Sequence, residues 1–522
     1  MGNVLSGYHS AECEVELLNN AGTIRGLQFD SKSRRYADIP YALPPTGDYR
    51  WRKPRPLPES FSYSSPDGTP YDATKFGKVC LQSSYSASVK KQLPQHIFGE
   101  DCLRLNIWTP VGEPNETNPK WPVMIWFHGG WFQIGDPSQE ESMDPTELIS
   151  TGQLNAVFVA VGYRLNVFGF LAGEALREES GGQEVGNYGL WDQRLAMEWV
   201  YKNISAFGGD PENITLSGRS AGAYAVQAQT LYDFRGSMDE TARNHFRRLV
   251  MYSNAIPTQP KTPEDCQPQF DELCEHFKIS PEIPGPEKLQ RLRQIDAEEL
   301  CDAVMKLKHH TFRPVTDGVF IHPGIFEYYR NGLFANEFKR RHLRLLIGEV
   351  LNEETLYAVT NGPQANRESL ELQVSNYYSP STTSRLLQHY PLPDSDRKED
   401  WEAVFGQIIS DDVWRYLIAY RMSFIIEKVA PVAFGVSHAM DRPVWNYSVM
   451  HGPNPAERQL MDNWIHDLVA FVNGDNNHSY GTKECDEYKV MTPDGNIEIQ
   501  KDPRWHELLK LMDVFSGFSC EN

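Results

Sequence analysis

The sequence predicts an α/β protein: a large, mostly parallel central sheet flanked by helices, with further helical segments inserted. Three observations carry this. Short apolar runs bounded by turns recur at Val123–Phe127, Ala156–Val161, Ile214–Ser217, Leu249–Tyr252 and Leu343–Ile347, as strands buried on both faces require. Between two of them, Leu190–Phe207 places Trp191, Leu195 and Trp199, then Val200, Ile204 and Phe207, at helical spacing. Helical patterns return over Glu368–Glu427 and Glu457–Asn473. No repeat, low-complexity tract or Gly/Ser linker divides the chain, so residues 1–522 read as one catalytic domain.

Composition narrows the function classes. At 40% hydrophobic residues the chain can bury a large core, which excludes disorder. Its 70 acidic against 50 basic residues, a formal charge of −20, argue against a nucleic-acid partner, whose phosphates need clustered cations. No apolar run approaches the roughly 18 residues of a membrane span. The opening Met1–Ser6 lacks the apolar core of a secretory signal, so cytoplasmic residence is expected. Gly2 with Ser6 fits the N-myristoylation pattern, and one acyl chain is a weak anchor. Eight cysteines are too few for a disulfide scaffold, although Cys80 with Cys102, and Cys266 with Cys274, can each close a surface loop. There is no Cys-x-x-Cys, and His506-Glu507 lacks the second histidine of a zinc helix. A metal site built from protein ligands is therefore not expected. A homo-oligomer is compatible with everything above.

Two glycine-rich turns carry the chemistry. Gly218-Arg219-Ser220-Ala221-Gly222 follows the strand Ile214–Ser217 and precedes the helix-compatible Ala223–Tyr232. The bare pentapeptide is a weak signal, and its placement strengthens it. A tight strand-to-helix turn needs small flanking residues, lifts Ser220 Oγ above the sheet and aims a helix N-terminus at a developing oxyanion. The plain alternative is an ordinary βα turn. The second turn, His128-Gly129-Gly130-Trp131-Phe132-Gln133-Ile134-Gly135, follows the strand Val123–Phe127. Acyl transfer builds negative charge on a carbonyl oxygen, and glycines let backbone N–H groups approach it.

These residues resemble the type-B carboxylesterases, the cholinesterase-like branch of the α/β-hydrolases. Ile39-Pro40-Tyr41-Ala42 with Pro44-Pro45, Gly47, Arg50-Trp51 and Pro54 is similar to the family's N-terminal block. Glu100-Asp101-Cys102-Leu103 and Leu105-Asn106 match its second signature, which implies a Cys80–Cys102 disulfide. Asn187, Gly189-Leu190, Asp192-Gln193, Trp199-Val200, Asn203-Ile204 and Phe207-Gly208-Gly209-Asp210-Pro211 lead into the elbow as the family's do. The match is strongest from about residue 20 to about 475, and the two glycine-rich turns look most like those of fungal members. The resemblance implies the α/β-hydrolase fold, ester hydrolysis without a cofactor, and an oxyanion hole at Gly130, Trp131 and Ala221.

A serine needs a histidine to take its proton and a carboxylate to orient that histidine. Gly348-Glu349-Val350-Leu351-Asn352-Glu353 is similar to the family's acid loop, with its glutamate at Glu353. Glu354 replaces the usual glycine, so two adjacent carboxylates compete, and motif position favours Glu353. Six histidines follow. His438-Ala439-Met440-Asp441-Arg442-Pro443 resembles the family's His-x-x-Glu-x-Pro, with Asp for Glu, and lies a suitable distance before Phe471–Asp475. His451 is the rival base.

Departures from the pattern bear on the substrate. Arg219 stands where cholinesterases carry a glutamate, and segment 80–102 holds no tryptophan, so choline esters are not expected. Arg219 either lies near the pocket floor or pairs with a buried carboxylate such as Glu100. Trp131 replaces a small residue and either narrows the acyl side or shapes it for flat aromatic groups. Gly129, Arg219 and Phe132 are the pocket candidates. The expected function is hydrolysis of a neutral or anionic organic ester through an acyl-enzyme. An acyltransferase or lactone-handling enzyme with the same triad is the enzymatic rival, and a non-catalytic binding module the other. The latter is disfavoured because Ser220, Glu353 and His438 are all present.

Overall fold

The strand signals become part of a thirteen-stranded sheet in the computed structural model. It describes residues 7–516 apart from 19–20, 84–96, 115–118, 138–143, 236–244, 411–415, 428–429, 449–451, 476 and 485. In chain order the strands are β1 (Ser10–Glu16), β2 (Thr23–Phe29), β3 (Ser33–Pro40), β4 (Tyr71–Asp72), β5 (Arg104–Pro110), β6 (Trp121–Phe127) and β7 (Val157–Val161). They continue as β8 (Gly209–Arg219), β9 (Arg248–Tyr252), β10 (Arg344–Val350), β11 (Tyr416–Ile418), β12 (Glu487–Met491) and β13 (Ile497–Lys501). Across the sheet the order is β1-β2-β3-β5-β7-β6-β8-β9-β10-β11-β12-β13, with β4 beside β2. Neighbours from β7 through β12 run parallel, whereas β1, β2, β3 and β5 meander antiparallel at one edge and β13 closes the other.

The unbroken apolar runs have a simple cause. In β6, Val123, Ile125 and Phe127 enter the core on one face, and Met124 and Trp126 enter that on the other. Leu249 and Met251 of β9 are likewise separated from Val250 and Tyr252. Both faces are covered, so Val123–Phe127 and Leu249–Tyr252 are buried throughout.

The expected helix becomes Tyr188–Asn203 followed by a 3₁₀ turn, Ile204–Phe207. Trp199, Val200, Ile204 and Phe207 are buried, while Trp191 and Leu195 sit half-buried at the margin of the stripe. Burial spreads wider than the stripe because Asp192, also on this helix, accepts Arg164 bidentately at 2.8 and 2.7 Å. The long helical tract needs correcting. Helices Arg367–Ser375, Pro380–His389 and Lys398–Ser410 fill its first part, and then Tyr416–Ile418 pairs into the sheet as β11. Three residues are too short a run to announce a strand. With helix Trp505–Ser516 these helices surround a separate core that includes Leu386, Trp401 and Phe405. The last expected helix is Pro455–Asn473, opened by a capping box between Asn454 and Glu457.

Among the described residues no helix is long and apolar enough to cross a membrane. Gly2 lies outside them. Cys80 and Cys102 are buried free thiols joined by a hydrogen bond, which together with burial raises the Cys102 pKa well above its ordinary value. The Cys266–Cys274 loop is ruled out. Cys266 caps helix Gln267–His276 and Cys274 lies two turns along it. That places their Cα atoms about 12 Å apart, too far to bridge.

Candidate active site

The site gathers at the carboxyl edge of the parallel strands, where open α/β sheets bind their ligands. The oxyanion-loop candidates follow β6, Ser220 follows β8, Ser253 follows β9 and Glu353 follows β10.

The elbow is strained. Ser220 has φ 55°, a left-handed conformation that an L-residue adopts only under constraint. Its N–H is held by Tyr252 O at 2.8 Å, and helix Ala221–Arg235 starts at the next residue. A Cβ on Gly222 would stand 1.9 Å from Phe127 O, and one on Gly129 2.6 Å from Arg219 O. The two glycine-rich turns therefore touch backbone to backbone, which is why both need glycine. In the loop after β6, Trp131 and Phe132 have φ 57° and 64°, and the N–H groups of Gln133 and Ile134 fold back onto Gly130 O at 2.8 and 3.0 Å. The Gln133 amide pins the turn, donating to Trp131 O at 3.0 Å and accepting Phe312 N–H at 3.1 Å. Neither the Gly130 nor the Ala221 N–H donates to an acceptor among the described residues.

The carboxylate that meets His438 is Glu353. Its Oε2 pairs with His438 Nδ1 and its Oε1 accepts Val350 N–H at 3.1 Å, with both side chains buried. Glu354 is half-buried and turned to Asn352 Nδ2 at 3.5 Å. The acid and histidine turns are laced together by Asn352, whose N–H donates to Val436 O at 2.9 Å and whose Oδ1 accepts Val436 N–H at 3.1 Å. The His438 ring lies 5.0 Å from that of Tyr357, and Tyr357 meets Trp131 edge-on at 6.3 Å. His451 is outside the described residues.

A pocket opens to solvent beside these groups. Ser220, Ala221, Trp131, Glu353 and Tyr357 line it, and Lys261 and Arg313 face it from two loops. Sequence reasoning missed Tyr357, Lys261 and Arg313, since a lone aromatic or cation in a loop carries no periodic or motif signal. The three pocket candidates need correction, because none of them lines this pocket. Arg219 is buried, with Nη1 2.5 Å from Asp441 Oδ1 and the guanidinium over the Tyr252 ring. Glu100 is taken instead by Arg50, at 2.7 and 2.8 Å. Phe132 is fully buried behind the wall against Phe170 and Tyr224, and Gly129 is consumed in the contact between turns.

One cluster has the residue types of a metal site: His466, Asp467 and His478 lie within 4.8 Å. The Asp467 carboxylate is already engaged by His478 Nε2, at 2.6 Å, and by Lys489 Nζ, a cation that competes with any metal.

Residues 11–411 match the family model described as the carboxylesterase family. This chain belongs to that family. Among its relatives, an uncharacterized esterase/lipase of Schizosaccharomyces pombe is 36% identical, covering 93% of each chain. A carboxylic ester hydrolase of Gibberella moniliformis is 33% identical, over 98% of this chain and 97% of the relative. A thermophilic PNB esterase structure superposes with TM-score 0.73 at 24% identity, over 95% of this chain and 99% of that one. The carboxylesterase thus has the α/β-hydrolase fold and is a carboxylesterase-type hydrolase. The carboxylesterase signatures around Ser220 and Glu353 fall inside the matched span, whereas His438 lies beyond it.

Proposed function

We propose that the protein is a serine carboxylic-ester hydrolase working through an acyl-enzyme on a neutral or anionic organic ester. The observation that carries this is the buried Glu353–His438 pair beside the pocket that also exposes Ser220. Ser220 Oγ attacks the ester carbonyl carbon as its proton passes to His438 Nε2. The charge gathering on the carbonyl oxygen meets the N–H groups of Gly130, Trp131 and Ala221. Collapse breaks the bond to the alkoxide, which takes the proton back from His438. Water then repeats the attack on the acyl-serine, losing its proton to the same histidine, and the released serine oxygen recovers it. Glu353 holds the ring in the needed tautomer and balances the imidazolium. Choline esters are poor candidates, since the charge of Arg219 is spent on Asp441 and segment 80–102 supplies no indole.

Intact-protein mass spectrometry with an ester panel tests the reading, with and without acceptor alcohols. The expected result is an acyl adduct on Ser220 discharged by water, with turnover in Ser220→Ala lowered by roughly a thousandfold or more. Turnover within about tenfold of wild type in a folded Ser220→Ala protein overturns it. Discharge that requires an added alcohol reassigns the enzyme to acyl transfer.

A further inference from the structure

Lys261 and Arg313 stand on adjoining segments of the pocket wall. The Thr316 N–H donates to Lys261 O and the Thr316 hydroxyl to Pro260 O, both at 2.7 Å, so the two segments are fixed against each other. Arg313 is held between aromatic faces, 5.7 Å from the Tyr224 ring and 5.2 Å from that of Tyr377. Such faces orient a guanidinium without cancelling its charge. Among the described residues no carboxylate forms an ion pair with either cation. Glu353, on the same wall, is committed to His438 and Val350, Asp265 accepts Thr262 N–H, and Glu264 pairs with Arg177. Burial, with the Arg313 charge adding to it, lowers the Lys261 pKa, so the wall holds positive charge at a cost in free energy that a bound anion would relieve. The chain as a whole carries a formal charge of −20. Against that background two half-buried cations, without a carboxylate partner among the described residues, line one pocket.

We propose that Lys261 and Arg313 form a cationic subsite that selects esters bearing a carboxylate on one arm. This rests on the hydrolase reading above and adds the substrate class. Arg313 offers a planar fork suited to a carboxylate, and Lys261 offers a second, mobile donor.

The test compares kcat/KM for matched pairs in the purified full-length protein. On the acyl side the pair is 4-nitrophenyl hemiglutarate and its glutaramate, in which an amide replaces the carboxylate. On the alcohol side it is 4-acetoxybenzoate and 4-acetoxybenzamide. In at least one pair the anionic ester should be preferred by about tenfold or more, chiefly through KM, and added salt should shrink the preference. Lys261→Met with Arg313→Gln should bring the ratio to near one, whereas Arg313→Lys, which keeps the charge, should retain most of it. If the double variant does not fold, Lys261→Met alone must lower the ratio by about threefold or more. Equal turnover of both members of each pair by wild type overturns the subsite and leaves the hydrolase reading standing, as does a preference that survives loss of both charges. No turnover of any of the four esters counts against the hydrolase reading itself.

Discussion

Arg219 is adjacent to the proposed nucleophile, yet its charge points into the scaffold. The side chains of Arg219 and Asp441 are 4% and 0% exposed, so each neutralises the other out of reach of water. Removing one partner strands the other. Arg219→Gln should therefore lose about 3–5 kcal/mol of stability, whereas Arg219→Leu with Asp441→Leu should regain most of it. Reversal to Arg219→Glu should lower the melting temperature further rather than admit cationic esters. Thermal melts of the four proteins check this, and an Arg219→Gln protein as stable as wild type would contradict it. The sequence made the arginine conspicuous but could not name its partner, which lies 222 residues away. For the same reason Lys261 and Arg313 gave no sign of themselves: a cation in a loop reads as solvated until the fold places it on a wall. Glu353 was separable from Glu354 by motif position, since loop motifs encode geometry that hydropathy does not.

The elements divide along similar lines. Strands β6 to β9 were legible because burial on both faces leaves a continuous apolar run, and β10 was legible from its Leu-Leu-Ile run although Leu345 is exposed. The edge strand β1 was not, although Ala11, Cys13 and Val15 alternate with Glu12, Glu14 and Glu16, because most of Ser10–Glu16 is exposed and its apolar residues are small. Strand β11 was hidden by its length, yet it aligns the turn after β10: Leu351 N–H donates to Ile418 O at 3.0 Å. Asn352 then ties that turn to the one bearing His438, which under the proposed mechanism makes it a positioning residue. Asn352→Ala should lower kcat by about tenfold while KM changes by less than about threefold, because the pocket wall is untouched and only the register of acid against base loosens. Circular dichroism should remain that of wild type. A change confined to KM, or none at all, removes Asn352 from the catalytic apparatus.

At the scale of the whole molecule, residues far apart in the chain converge on one sheet edge because the parallel strands send their carboxyl ends the same way. That topology followed from strand–helix alternation. The pocket behind it did not, since its walls come from loops and inserted helices whose paths no periodicity records. One feature of the edge reaches beyond the reaction. Ser220 is held at φ 55°, which costs an L-residue about 1–2 kcal/mol and costs glycine almost nothing. Two proteins that the proposed mechanism makes inactive should therefore differ in robustness: Ser220→Gly should unfold at a higher temperature than Ser220→Ala, by the equivalent of about 1 kcal/mol after glycine's looser unfolded chain is allowed for. Equal melting temperatures would mean that the turn carries no strain. If the difference is found, endurance and activity are opposed at a single position. A lineage selected only to withstand heat would drift toward glycine there and keep its shape after its chemistry had gone.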